Sequence, residues 1–150
     1  MKKVLMVLLT LVFALTFYSC GLGEKQAGVY TYSDENISVE MTIFAKGDDI
    51  SKIEQVSKLD ISGYSSEKIK EVEANIKEME KVCKSIDGVE YSTKKEKNKI
   101  TETISVAVNE KTIEKIKKEN LVPVEDQKAK NISLKKFTES LENSGWKLKK

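Results

Sequence analysis

The sequence predicts an α+β fold, a mainly antiparallel sheet built from hairpins and packed by one long and two shorter helices. Three observations carry that prediction. Between Ile37 and Ile43 apolar residues fall on odd positions and polar ones on even, and Ile100, Ile104, Val106 and Val108 likewise share one parity, here the even one. That period of two marks half-buried strands. Between them, Ile69, Val72, Ile76, Met79, Cys83 and Ile86 recur at steps of three and four, the spacing of one helix face. Strands gathered in hairpins and interrupted by helices belong to the α+β class.

Taken in order, Val29-Tyr30-Thr31-Tyr32 passes through Asp34-Glu35-Asn36 into Ile37–Ile43, a first hairpin. Lys46-Gly47-Asp48-Asp49 is a turn signal. A less regular third strand follows from Ile50 to about Leu59, with Ile53, Ser57 and Leu59 on one face. Ser65-Ser66-Glu67 supplies a cap and an early acid for the long helix, and Asp87-Gly88 closes it. Val89, Tyr91 and Thr93 alternate, Lys94 to Lys99 turns, and the strand from Ile100 completes a second hairpin with Glu102 as the charged interruption on its apolar face. Asn109 caps a short helix carrying Ile113 and Ile116, and Pro123 marks an extended connection. Ser133 caps the last helix, with Leu134, Phe137 and Leu141 inward and Gly145 at its end. Trp146 and Leu148 then alternate with lysines as a terminal strand, and Trp146 is expected to be largely buried there.

The first twenty residues carry a different pattern. Met1-Lys2-Lys3 is followed by an uncharged run from Val4 to Tyr18, and Ser19 precedes Cys20. A basic start, an apolar centre and a small-residue processing site are the plan of a secretory signal. The apolar run is about 15 residues, short of the roughly 20 that a helix needs to cross a bilayer. At Cys20 the segment resembles the signal of bacterial lipoproteins, in which the cysteine receives the lipid and becomes the new N-terminus. Phe17 and Tyr18 are bulkier than that pattern usually carries, and a non-lipid cut after Gly21 is the competing outcome. The expected organisation is a signal over 1–19, lipidated Cys20 with a flexible tether over 20–28, and one domain over 29–150.

Removal of residues 1–19 leaves 131 of 150 residues, enough for one domain with a hydrophobic core. Lys2 and Lys3 account for two of the 26 cationic residues, so 24 cations face 24 anions in the remainder. Such a balance gives no reason to expect a nucleic acid as partner. Every cation is lysine, and histidine is absent, which excludes guanidinium forks and imidazole bases or ligands. With Cys20 acylated, Cys83 has no partner for a disulfide. A reactive thiol at Cys83 is weighed against burial, and its place on the apolar helix face favours burial.

Catalytic and metal constellations are scarce. There is no Gly-rich phosphate loop, no paired cysteines or histidines, and no histidine for a nucleophile triad. Glu102 is a candidate functional carboxylate, though such a residue more often lies near a sheet edge and reaches water. Asp48-Asp49 and Glu125-Asp126 could bind a hard cation through oxygen, but neither repeats ligands as a calcium loop does, and solvated turns are preferred. Lys94, Lys95, Lys97 and Lys99 could meet an anionic surface, yet Glu96 and Asn98 dilute them. Tyr30, Tyr32, Tyr64 and Phe44 could present aromatic faces to a sugar or partner, with a second, helix-covered packed face as the commoner reading. No cofactor and no metal site is expected.

The succession of a lipoprotein-type signal, a first hairpin ending in Lys46-Gly47-Asp48, a long amphipathic helix into Ile86-Asp87-Gly88-Val89-Glu90, and the tail Val124-Glu125-Asp126, Ile132-Ser133-Leu134 and Gly145-Trp146 resembles the YehR-like family of bacterial lipoproteins. The resemblance implies a small α+β lipoprotein domain of the cell envelope, lipid-anchored outside the cytoplasm. The family has no assigned activity, so no site residues are carried over. The expected function is a non-enzymatic binding or interaction module held to the membrane by Cys20, its protein or small-molecule ligand unknown. The alternatives are a carboxylate-dependent envelope hydrolase or transferase using Glu102 or Glu125-Asp126, and a precursor whose signal fragment acts as a secreted peptide.

Overall fold

The computed structural model of the protein describes residues 23–122 and 129–150. The elements run β1 (Lys25–Ser33), β2 (Ile37–Lys46), β3 (Asp49–Asp60), α1 (Ser66–Lys84), β4 (Val89–Glu96), β5 (Lys99–Ala107), α2 (Ile113–Lys118), α3 (Leu134–Asn143) and β6 (Lys147–Leu148). Six strands form one sheet in the order β4-β5-β3-β2-β1-β6, every neighbouring pair antiparallel. The architecture is therefore the expected α+β one.

Alternation along the strands divides the sheet into two unlike faces. Val39, Met41, Ile43 and Ala45 of β2 are buried, as are Ile53 of β3 and Ile100 and Val106 of β5. Onto this face pack Ile86 beyond the end of α1, Ile113 and Ile116 of α2, and Phe137 and Leu141 of α3. Ile43 and Ile116 are fully shielded, and each side chain so buried contributes about 1.5–3 kcal/mol. The opposite face has no helix among the described residues.

Helix boundaries follow local chemistry. The Ser65 hydroxyl accepts the Lys68 amide at 3.3 Å at the start of α1, satisfying one of the orphan donors there. Gly88 turns the chain from α1 into β4 with φ +86°, and a Cβ there would press on Thr112 and Ala107, so glycine is required twice over. Before α2 the Asn109 side chain accepts amides from Lys111 at 2.9 Å and Thr112 at 3.2 Å, so it shapes the turn that leads into the helix, whose N-cap is Thr112 rather than the expected Asn109.

Two further expectations are corrected. β1 begins at Lys25, so Lys25–Gly28, expected as tether, already pair with β2, with a register shift between Gln26 and Gly28. Those residues lie at the sheet margin and are largely exposed, which is why no alternation marked them. Trp146 lies outside β6 and is half-buried, because β6 pairs with β1 only through Lys147 and Leu148. Tyr30 is in the core, in keeping with the packed face that was the commoner reading of its strand.

Candidate functional site

The helix-free face is built from the even-numbered residues of β2, β3 and β4 and the odd-numbered ones of β5. Opposed residues in antiparallel strands share a face, so the registers give continuous cross-sheet rows. One row runs Ser92, Thr103, Val56, Glu40, Thr31, and a flanking row runs Lys94, Thr101, Lys58, Ser38, Ser33. Two adjoining depressions of about 720 and 800 Å³ occupy this face and share Val56, Ser92 and Thr103. Hydroxyl, charged and aliphatic residues share their lining, and Val56 is the apolar spot at the junction.

Charge on this face is arranged in local pairs. Lys52 meets Glu54 at 3.0 Å, Lys94 meets Glu96 at 3.0 Å, and Lys149 from the C-terminal end meets Glu40 at 2.6 Å. The Lys94 ammonium, with Lys99 beside it, holds the Glu96 carboxyl below its ordinary range. Lys58, in the central strand β3, has no ion-pair partner among the described residues. Lys94, Lys95 and Lys99 are all engaged by carboxylates. They do not form the uniform cationic patch considered from the sequence.

Glu102 sits elsewhere. It lies on the helix-covered face of β5, next to the edge strand β4, and is half-buried. The Tyr91 hydroxyl donates to Glu102 Oε1. Burial, and then the bond and charge of Glu102, push the Tyr91 phenol far above its ordinary range. Cys83 is fully buried beneath α1, and burial followed by the Glu102 charge raises its thiol as well. Reactive cysteines are exposed and electropositive; Cys83 is neither, as its helix position led us to expect.

Asp48 and Asp49 serve the fold. Asp48 Oδ1 accepts the Lys135 amide at 3.0 Å and Oδ2 accepts the Ser133 hydroxyl at 2.7 Å, while Asn131 donates to Asp49. A carboxylate at the first turn of α3 also opposes the positive end of the helix dipole. These bonds lower the Asp48 carboxyl from its ordinary value. Among the described residues no three carboxylate or thiol groups gather as a metal site would need. Cys20 and the Glu125-Asp126 pair lie outside the described residues.

The open face was missed in the sequence, although a signal was there. Outward positions Ser38, Thr42, Thr101, Thr103 and Ser105 are hydroxyl residues, interleaved with Glu40, Glu54, Lys58 and Lys94.

The model of a family of proteins of unknown function, DUF1307, matches residues 26–147. The chain belongs to this family. DUF1307 is thus the YehR-like group that the order of the motifs suggested. A relative from Listeria innocua, described as the uncharacterized lipoprotein Lin0239, is 23% identical over 147 residues, covering 98% of this chain and 95% of the relative. The NMR structure of the Escherichia coli YehR protein superposes with a TM-score of 0.66 at 19% identity, covering 85% of this chain and 93% of that one. The NMR structure of a protein from Streptococcus pneumoniae TIGR4 gives 0.54 at 14% identity, covering 83% and 86%. At these identities the two structures establish for this DUF1307 chain a shared fold.

Proposed function

We propose that the protein is an envelope lipoprotein, held to a membrane outside the cytoplasm by acyl chains on Cys20, whose domain is a non-enzymatic binding module. The observation that carries the binding role is the helix-free sheet face. Its contiguous depressions, lined by hydroxyls, paired charges and aliphatic groups, suit a ligand that combines hydrogen-bonding groups with an apolar part. Support for the anchor comes from the basic, apolar and small-residue pattern ending at Cys20 and from the description of the Listeria relative as a lipoprotein. No helix of the described residues is long and apolar enough to cross a membrane. A doubly acylated cysteine gives stable attachment where a single chain is marginal.

The test is crosslinking in intact host cells, comparing wild type, Cys20→Ala and Thr103→Lys, with captured material identified by mass spectrometry. Cys20→Ala should leave the membrane fraction. Thr103→Lys places a long cation at the junction of the depressions and should lose the captured ligand while remaining membrane-bound. Capture unaffected by Thr103→Lys would remove the open face as the binding surface, and an unchanged membrane fraction for Cys20→Ala would remove the lipid anchor.

A further inference from the structure

Strand β4 is the outermost strand of the sheet, bonded on one side to β5. Its hydrogen-bond phase is fixed by the Ala107 amide, which donates to the Gly88 carbonyl at 2.8 Å. In an antiparallel ladder such pairs alternate. Glu90, Ser92 and Lys94 therefore turn their backbone groups to β5, and Val89, Tyr91, Thr93 and Lys95 turn theirs outward. No strand among the described residues meets those outward groups. Natural sheets blunt such edges with short strands or unmatched charges. β4 spans eight residues; its two lysines meet Glu96 and Glu73 in exposed pairs that leave them open to a further carboxylate, and Glu90 has no ion-pair partner among the described residues.

The helix above this edge is also incompletely covered. Of the apolar stripe of α1, only Cys83 is buried; Ile69, Val72 and Ile76 are half-exposed and Met79 is 40% exposed. α1 packs chiefly on β4, with Glu73 bound to Lys95 and Glu80 close enough to Tyr91 to act on it. Ile76 and Met79, between those two glutamates, therefore lie level with the middle of the strand.

We propose that β4 pairs antiparallel with β4 of a second copy of this chain, about a two-fold axis at Ser92. Opposed residues must share a face, so only registers centred on a residue are compatible with both faces. Centring on Ser92 sets Glu90 opposite Lys94 of the second copy, twice by symmetry, on the open face. It also sets Tyr91 opposite Thr93 and Val89 opposite Lys95, the residues whose backbone groups point outward. Centring on Thr93 opposes Glu90 to Glu96, centring on Lys94 opposes lysine to lysine, and centring on Tyr91 loses both ion pairs. Like charges directly opposite destabilise a ladder and unlike ones support it. The two-fold brings both α1 helices to one side, where Ile76 and Met79 of each copy cover the other. It also joins the two open faces at Ser92, which both depressions reach, so the second copy completes their outer wall. The proposal does not depend on what the open face binds.

Self-opposed Ser92 would be a non-hydrogen-bonded pair with Cα atoms about 4.5 Å apart, within the roughly 4.4–6.8 Å span of disulfides. The full chain carrying Ser92→Cys, in membranes of host cells, is treated with a mild oxidant and its dimer read on a non-reducing gel. Thr103→Cys and the wild type are the controls, Thr103 being about 14 Å from its counterpart at three strand spacings. Ser92→Cys should give several-fold more dimer than either control. Adding Lys94→Glu should suppress it, and Glu90→Lys together with Lys94→Glu should restore it. All these positions are exposed, so folding is retained. Dimer no greater than in Thr103→Cys, or dimer indifferent to the charge reversals, would overturn the proposal.

Discussion

The Tyr91 hydroxyl donates to the Glu102 carboxylate across the second hairpin, in the half-buried layer beneath α1. This bond uses one of the carboxylates considered for chemistry as a structural acceptor. Tyr91→Phe leaves Glu102 half-buried without its donor and is expected to cost about 1–2 kcal/mol in denaturant unfolding. A change within error would show that Glu102 is satisfied by water instead.

The same pair predicts an alkaline limit. In the folded chain the Tyr91 phenol is raised, whereas unfolded tyrosine titrates near 10. Above that pH the unfolded state loses a proton that the folded state keeps, so stability falls as pH rises beyond about 10. Melting temperature followed from pH 8 to 11 should decline more steeply in wild type than in Tyr91→Phe. Ultraviolet titration should show one of the five tyrosines ionising last and disappearing in the variant.

At the acid end Asp48 contributes, alongside Asp60, Glu73 and Glu96, whose carboxyls are also lowered. The folded-state carboxyl of Asp48 is lowered, so its contribution is present above the unfolded value near 3.9 and is lost as pH falls below it. Asp48→Ala should flatten that acid decline and speed amide exchange at Lys135 and Lys136 at the first turn of α3. Equal exchange in both proteins would show that Ser133 caps the helix without its aspartate.

Cys83 should resist a thiol reagent in the native state and react at once in denaturant, since its thiol is buried and raised. Rapid native labelling of Cys83 would reveal opening of α1 from β4.

Trp146, the single tryptophan, lies 5.7 Å from the Tyr32 ring with planes tilted by 38°. Being half-buried, Trp146→Ala should cost about 2 kcal/mol, less than the 3–5 typical of a fully buried aromatic. Its fluorescence should be intermediate between core and free indole and should shift in Tyr32→Ala.

The contrast between Trp146 and Cys83 shows what the sequence carries. Cys83 belongs to a helix stripe of regular period, and Ile37 to Ile43 to an unbroken alternation, so fold class, hairpins and buried faces were legible there. Trp146 follows a glycine and shares its alternation with Leu148 alone, too short a run to fix a face, so its burial depended on how far β6 extends along β1. Lys25–Gly28 were misjudged because a marginal strand buries neither face. The partnership of Asp48 with Ser133 spans 85 residues and leaves no local trace. The hydroxyl rows of the open face depend on the strand order β4-β5-β3-β2, which alternation alone does not fix.

That span of 85 residues has a kinetic consequence. The tip of the β2–β3 hairpin and the start of α3 hold each other not only through side chains but through backbone, the Leu134 amide donating to Asp48 at 2.7 Å and the Ile50 amide to Ile132 at 3.0 Å. Closing so long a loop is entropically costly before its contacts reward it. The three N-terminal strands, linked by short turns, are therefore the part of the chain that orders first, and α3 is set in place only once the turn at Gly47 exists to receive it.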